Sequence, residues 1–463
     1  MADKHKSSFV ADLRAVLGEP DFRRLYATRL VSQTGDGMFN AGFAAYAFFS
    51  ATTFPNPAAA ASAAAVLYLP YSLIGPFAGV FIDRWSRRQI LVWSAAIRSM
   101  MVVIAAFLVG SGTLGLPLYI AVLAVLGVNR FFLSALSAAL PHVVPEDKLV
   151  MANAVAPTSG TIVGFIGGVL GLGVHLVTGG GHIGSAATLL AGGVGYAAAG
   201  LIGATIPKDL LGPNRDPRQP TGNGLAADFG AVAVGLVAGA RHLWQRKEAL
   251  YAIVTIGAHR FLYGICLLMS ILLYRNYFYP SKSGNTALGH FTLVVITSAI
   301  GYGAGAVLTP PMTRRLSKTT WVAALLAFGG VTAGLLGATF SQVPFLLLGF
   351  ALGITGQGLT ITVTTIVQEQ VGESFLGRIF SLYDMMYNAS FVIGAAASVA
   401  FMPLTGKSYA VVAFVAAAYV AAGAAYWLLN LRAAQPAHVA EDLAPAPSEE
   451  VPEPPVPDQA HRS

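Results

Sequence analysis

Residues 83–88 read Asp83-Arg84-Trp85-Ser86-Arg87-Arg88, a short charged turn between two apolar runs, Ala58–Ile82 and Gln89–Gly110. A helix needs about 20 mostly apolar residues to cross a bilayer. Both runs reach that length, so the turn joins two antiparallel spans, and its arginines report the side on which it lies. Moving outward, ten more stretches share this character. Four lie near Leu25–Ser50, Leu116–Leu140, Val150–Val177 and Ile183–Ile206. Six follow near Leu250–Tyr274, Ala287–Pro310, Thr319–Phe340, Val343–Val367, Arg378–Met402 and Ser408–Leu431. Only 11% of the 463 residues are charged, too few to cover a water-exposed surface. The sequence therefore predicts an all-α membrane protein with twelve transmembrane helices.

Lysine and arginine set the orientation. With the N-terminus inside, the inner segments hold 21 of the 28 basic residues and the outer loops hold three: Arg275, Lys282 and Lys407. The other four, Arg29, Arg98, Arg130 and Arg260, lie within spans. Such asymmetry predicts a multi-pass plasma-membrane protein with both termini cytoplasmic. The formal charge of +7 is then topogenic. Its scatter over separate loops argues against nucleic acid as a partner. The lone Cys266 excludes an internal disulfide and a cysteine-based zinc site.

The chain divides into residues 1–22 (a cytoplasmic N-terminal segment), 23–206 and 249–431 (two six-helix bundles), 207–248 (a central linker) and 432–463 (a tail). In the linker Leu225, Phe229, Val232, Leu236 and Leu243 recur at helical spacing, and Arg241, Arg246 and Lys247 follow. This pattern predicts an amphipathic helix on the cytoplasmic interface, too short in its apolar run to cross. From Ala433 onward seven prolines and six acidic residues stand among 31, which predicts disorder. Val144-x-Glu146-x-x-Leu149 recurs as Val371-x-Glu373-x-x-Leu376, 227 positions on, and Arg130 meets Gln357 at the same offset. Arg29 and Arg260 are 231 apart. These matches around a central linker predict a parallel duplication.

The loop between spans two and three, Gly79-Val-Phe-Ile-Asp83-Arg84-Trp-Ser-Arg87-Arg88, resembles the signature of the major facilitator superfamily. Gly79, Asp83, Arg84, Arg87 and Arg88 match it, and Phe81, Ile82 and Ser86 depart from it. The resemblance covers roughly residues 20 to 431 and implies two pseudo-symmetric six-helix bundles, the major facilitator fold. It implies that Gly79, Asp83, Arg84, Arg87 and Arg88 form a conformational latch between the halves. The equivalent second-half loop, Pro310–Lys318, keeps the positive charge and lacks the aspartate, so the latch would be one-sided.

Charges at membrane depth are costly and mark pathways by default. Asp36 lies about 12 residues into span one, roughly 18 Å deep, and Arg130 roughly 15 Å deep in span four. In the resembled fold both spans line a central cavity, so Asp36 and Arg130 are expected to interact there and to couple protons. The alternatives are a static ion pair, or a local pair of Asp36 with Arg29. Arg98 is expected to support the loop motif. Asp384 and Asn388, one turn apart, face either Arg378 or the cavity. His259 and Arg260 are adjacent and point to different faces, so one of them can line the cavity. A lone histidine in a span reads first as a packing residue. The proton and substrate pathway is thus read as Asp36, Arg130, Arg260, Gln357, Asp384 and Asn388. Tyr274, Tyr277, Phe278 and Tyr279 read as an interfacial aromatic belt.

Gly160, Gly164 and Gly168 recur every four residues in span five and predict close helix packing. They keep register with a pattern of the superfamily's drug-efflux branch, from which Phe165, Val169 and, in span four, Ser134 depart. Phe22-Arg23-Arg24-Leu25, Gln33-x-Gly35-Asp36, Pro141–Leu149, Ala152-Asn153-Ala154 and Gly377-Arg378 resemble the bacterial macrolide and siderophore efflux group. The resemblance implies a monomeric secondary transporter in the lipid bilayer, exporting a hydrophobic or amphiphilic small molecule against protons, with uptake of a metabolite as the alternative. A membrane-embedded transferase would need a cluster of nucleophile, base or metal ligands, and none is present in the sequence pattern. A non-transporting sensor would not need charges at mid-depth. No nucleotide-binding loop, cofactor site or metal site is expected.

Overall fold

The computed structural model describes residues 17–49, 57–73, 85–145, 148–212, 224–280 and 284–442. In the first half lie α1 (Pro20–Phe49), α2 (Pro57–Leu73), α3 (Arg87–Gly110), α4 (Leu116–Ala139), α5 (Leu149–Val177) and α6 (Gly181–Ala204). A linker helix, α7 (Gly224–Gln245), leads to α8 (Lys247–Leu272), which widens into a π-turn over Leu273–Phe278. Then come α9 (Gly284–Arg315), α10 (Lys318–Gly337), α11 (Gln342–Gln370), α12 (Glu373–Ser398) and α13 (Tyr409–Asp442). A helix thus stands at each of the twelve apolar stretches. Among the described residues nine helices are long and apolar enough to cross a membrane. The remaining three fall short for readable reasons. Only 17 residues of α2 are described. Gln33, Asp36 and Asn40 interrupt α1, and Arg378, Asp384 and Asn388 interrupt α12.

The duplication is present in the packing. In the first half α1 lies on α5 and α6, α3 on α4 and α6, and α2 on α4. In the second half α8 lies on α12 and α13, α10 on α11 and α13, and α9 on α11. Leaving out the linker helix, the second set is the first moved six helices along. Glycine makes the closest of these approaches possible, because a helix pair in lipid gains from backbone contact and gains little from apolar burial. A Cβ on Gly37 of α1 would sit 2.0 Å from the Gly164 carbonyl oxygen, and one on Gly167 of α5 would sit 2.1 Å from the Thr34 oxygen. In the second half a Cβ on Gly264 would sit 2.3 Å from the Phe391 oxygen, and one on Gly394 would sit 2.0 Å from the Phe261 oxygen. All four residues of the second contact stand 227 positions beyond their counterparts in the first. Of the predicted packing glycines, Gly164 supplies the wall for Gly37, Gly168 lies beside it, and Gly160 abuts the Gln33 side chain. The tightest backbone approach from α5 belongs to Gly167, which the four-residue spacing passes over.

The halves meet where α2 packs on α12 and α8 and where α1 packs on α9. At the end of the bundle away from the chain termini they touch closely. The Phe49 and Phe291 rings lie 5.3 Å apart. Asn285 Oδ1 accepts from the Gly181 N–H at 3.1 Å and lies 3.1 Å from His175 Nε2. Tyr274, expected in an aromatic belt, is instead buried against Phe278 and Phe291. Tyr277 accepts a hydrogen bond from Lys407 at 2.8 Å, and Tyr279 donates to Gln342 at 2.9 Å. These aromatics tie loops together at the same end.

The linker helix forms as expected, but it uses its faces differently. Leu243 is buried, and His242 stacks on Phe375 of α12 at 4.3 Å. Gly235 and Gly239 lie beside Arg378. At Leu243 the face predicted to rest on lipid is buried instead, while Val234, Val237 and Trp244 are exposed. The last helix runs past Leu431 to Asp442, and residues 443–463 of the expected tail lie outside the described residues.

Replacing Gly167 or Gly394 by Ala should cost about 1–3 kcal/mol, since a methyl group would overlap a backbone oxygen that cannot withdraw. Gly173→Ala, with nothing within 4 Å of the added carbon, should be neutral or stabilising. Thermal unfolding of the detergent-purified proteins reads the difference. Equal melting temperatures for all three would refute the glycine contact as a determinant of the fold.

Candidate functional site

Asp36 sits in the middle of α1, where the helix passes between α3, α4 and α6. Burying a carboxylate there requires partners, and four side chains supply them or hold them. Arg98 of α3 forms an ion pair with Asp36. Tyr196 of α6 donates to Asp36 Oδ1 at 2.9 Å, and Asn129 of α4 donates to Oδ2 at 3.4 Å. Arg98 also donates to Ser32 Oγ at 3.0 Å, and its guanidinium carbon lies 3.6 Å from the Tyr196 ring centroid. Arg98 is wholly buried, at 0% exposure, in contact with the Phe132 ring as well. The expected encounter of Asp36 with Arg130 is thus replaced by a pair with Arg98. The reason is helix rotation: α6, packed beside α1, turns Tyr196 onto the face that carries Asp36, and α3, packed on α6, turns Arg98 toward the same acid. Arg98 serves the acid, and most of the loop motif it was expected to support lies outside the described residues. Arg29, the local alternative, donates to Gln33 at 3.2 Å.

Arg130 lies within electrostatic range of a different acid, Asp384 of α12, so this longer-range interaction spans the two halves. Arg378 turns away toward α7 and lies 5.3 Å over the Phe375 ring. Asn388 donates to the Asp384 carbonyl oxygen at 2.9 Å, an ordinary one-turn contact within the helix. Gln357 of α11 is half-buried against Gly305 of α9.

Arg260 of α8 stands among rings. Its guanidinium carbon lies 4.1 Å from the Tyr387 centroid, 4.7 Å from Phe391, 5.4 Å from Tyr263 and 5.9 Å from Tyr68. The first two come from α12 and the last from α2, so this cluster also crosses the divide. Tyr302 of α9 extends it, 3.3 Å from the Tyr387 hydroxyl. The neighbouring His259 points into its own bundle and lies 3.0 Å from the Tyr419 hydroxyl.

Of the latch motif, Gly79, Asp83 and Arg84 lie outside the described residues. Arg87 donates to the Leu211 carbonyl oxygen at 3.0 Å and lies 3.4 Å from His142 Nε2, while Arg88 donates to the Ala204 oxygen at 2.7 Å. Both arginines close the end of α6 within the first half. Burial, then the Arg87 charge, holds His142 below the ordinary histidine range. Among the described residues no group of His, Cys, Asp or Glu could hold a metal ion.

The sequence reading missed Ser32, Asn129 and Tyr196 around Asp36, and Tyr68, Tyr263, Tyr302 and Tyr387 around Arg260. One signal was available. Arg98 lies at a depth similar to that of Asp36, so it was a third candidate beside Arg29 and Arg130. The tyrosines carry no charge and stand in apolar runs, where nothing marks them.

The chain matches the profile of the Major Facilitator Superfamily over residues 276–457. An uncharacterized MFS-type transporter of Mycobacterium tuberculosis is 33% identical over 413 residues, covering 88% of this chain and 91% of that protein. One from Mycobacterium bovis matches to the same extent. Among solved structures, the nucleoside transporter NupG aligns with a TM-score of 0.64 at 15% identity, over 88% of this chain and 98% of its own. The peptide transporter POT in complex with sulfate aligns with a TM-score of 0.65 at 13% identity, over 88% and 94%. These structural likenesses show a shared fold.

Removing one member of a buried ion pair strands the other, at about 3–5 kcal/mol. Arg98→Gln should therefore lower the melting temperature of the purified protein more than the double change Asp36→Asn with Arg98→Gln. A double-mutant cycle on thermal stability measures the coupling. Additive losses would show that the two side chains do not depend on each other.

Proposed function

We propose that this chain, which belongs to the Major Facilitator Superfamily, uses its twelve helices to export an amphiphilic small molecule in exchange for protons. The membership makes it a small-molecule transporter of the membrane. In the proposed orientation both chain termini are cytoplasmic, and the end closed by Asn285, Phe49 and Phe291 faces outward. The inner ends then part to admit substrate, and rocking of the halves exchanges the open side.

What supports the coupling reading is that Asp384, an exposed residue of α12, lies within electrostatic range of Arg130 on the other half. Such an interaction between the halves strengthens in one arrangement and weakens in another, so a proton on Asp384 biases that equilibrium. Asp36 does not fit this task. Its ion pair and hydrogen bonds all come from helices of its own half, which move together. The coupling role expected for Asp36 therefore passes to Asp384, with Arg130 retained as the partner. Export is supported by the resemblance of the segments around spans one, four and eleven to efflux proteins.

A susceptibility and accumulation screen in cells with and without the protein finds the compound class, and greater sensitivity in its presence would reverse the direction. Proteoliposomes with an imposed pH gradient then test the coupling. Asp384→Asn should lower gradient-driven flux at least about tenfold while sparing substrate exchange, as expected when a proton carrier is lost and binding remains. Full gradient-driven flux in Asp384→Asn would overturn the assignment.

A further inference from the structure

The spans carry more positive than negative charge. Arg29, Arg98, Arg130 and Arg260 lie within them, and their carboxylates are Asp36 and Asp384 alone. Asp36 is matched by Arg98, and Asp384 interacts with Arg130. Among the described residues no carboxylate pairs with either Arg29 or Arg260. Arg29 donates to the Gln33 side chain within its own helix, whereas Arg260, 8% exposed, stands among rings from both halves. A guanidinium offers five N–H donors. Arg260 gives one, from Nε to the Tyr387 carbonyl oxygen at 3.4 Å. Its remaining contacts are aromatic faces, which attract a cation and consume no N–H. The charge is therefore tolerated in place while most of its hydrogen-bonding capacity is unspent.

The geometry points to Arg260 as the seat for an acidic group on the transported molecule, a carboxylate or a phosphate, with the ring-bearing or aliphatic body laid against Tyr68, Tyr263, Tyr387 and Phe391. Arginine binds both anions through paired N–H donors, and charge assistance makes such contacts strong where water is scarce. The same cluster repels an amine, since a second cation would meet Arg260 with no carboxylate between them. Tyr68 belongs to the first half and the other rings to the second, so the occupant touches both halves at once. This narrows the substrate to acidic amphiphiles and excludes cationic ones. It rests on the transporter reading above.

The test uses the purified full-length protein and four probes that share one aromatic body: 1-naphthoate, 1-naphthyl phosphate, the uncharged 1-naphthamide and the cationic 1-naphthylmethylamine. Ligand-induced thermal stabilisation, titrated with each probe, gives relative affinities. Either acid should bind at least tenfold more tightly than the amide, and the amine should not stabilise. Arg260→Gln should abolish that preference, and Arg260→Lys should restore part of it. Absence of an acid-over-amide preference in the unaltered protein overturns the inference, as does its survival in Arg260→Gln. The unaltered protein decides the first point even if a variant fails to fold. Acid-selective binding without gradient-driven flux would refute the transporter reading and leave this site standing. Gradient-driven flux of a neutral or cationic substrate would sink this site alone.

Discussion

A charge in the apolar interior of this molecule survives only with a partner, and the Asp36–Arg98 pair is where that requirement organises most of the structure. The pair joins α1 to α3. Tyr196 and Asn129 bring in α6 and α4, so four of the six helices of the first half converge on one carboxylate. Arg98 also stacks on the Tyr196 ring. Because every member lies in one half, the network makes that half a single body. The second half has no matching ion pair at the corresponding place. Tyr263 stands 227 positions beyond Asp36, and the bundle is held there by glycine contacts and by the His259–Tyr419 hydrogen bond.

Other charged groups are found at the surface between the halves. Arg130 of α4 and Asp384 of α12 interact electrostatically across it. Arg260 and its rings occupy the junction of α2, α8 and α12. The ends away from the chain termini are drawn together through Asn285 and two phenylalanines. Matched polarity thus lies inside the bodies, and polarity open to exchange lies between them. Alternating access needs this division, since a coupling group must change partners when the bodies move.

Much of the architecture was legible from the chain because hydropathy is a property of whole stretches, which survives uncertainty about any single side chain. The same holds for the repeat: an offset of 227 noticed at Val144/Val371 reappears in the reciprocal contact of Gly37, Gly164, Gly167 and Thr34 with its second-half copy. Partner choice was not legible. Three arginines lay within reach of Asp36 by depth, and selecting among them requires the rotation of each helix about its axis, which apolar runs as uniform as these leave unspecified. Gly167 was passed over for a related reason. The interval that drew attention to Gly160, Gly164 and Gly168 marks a stripe, whereas the closest approach falls one residue beside it.

The two helices that depart most from an apolar span, apart from the partly described α2, are α1 and α12, and they carry Asp36 and Asp384. Their polar residues weaken them as membrane segments, so insertion leans on neighbours: α1 lies between α5 and α6, and α12 against α8 and α2. Each is supported by glycine approaches that hold it in place by backbone contact, so its side chains need not supply apolar anchoring. Here the duplication and the chemistry meet. Both helices occur at glycine-mediated contacts related by the repeat, and the first binds its acid within its own half while the second carries its acid within electrostatic range of the other. One packing geometry thus recurs in the two halves while the polar residues it carries differ.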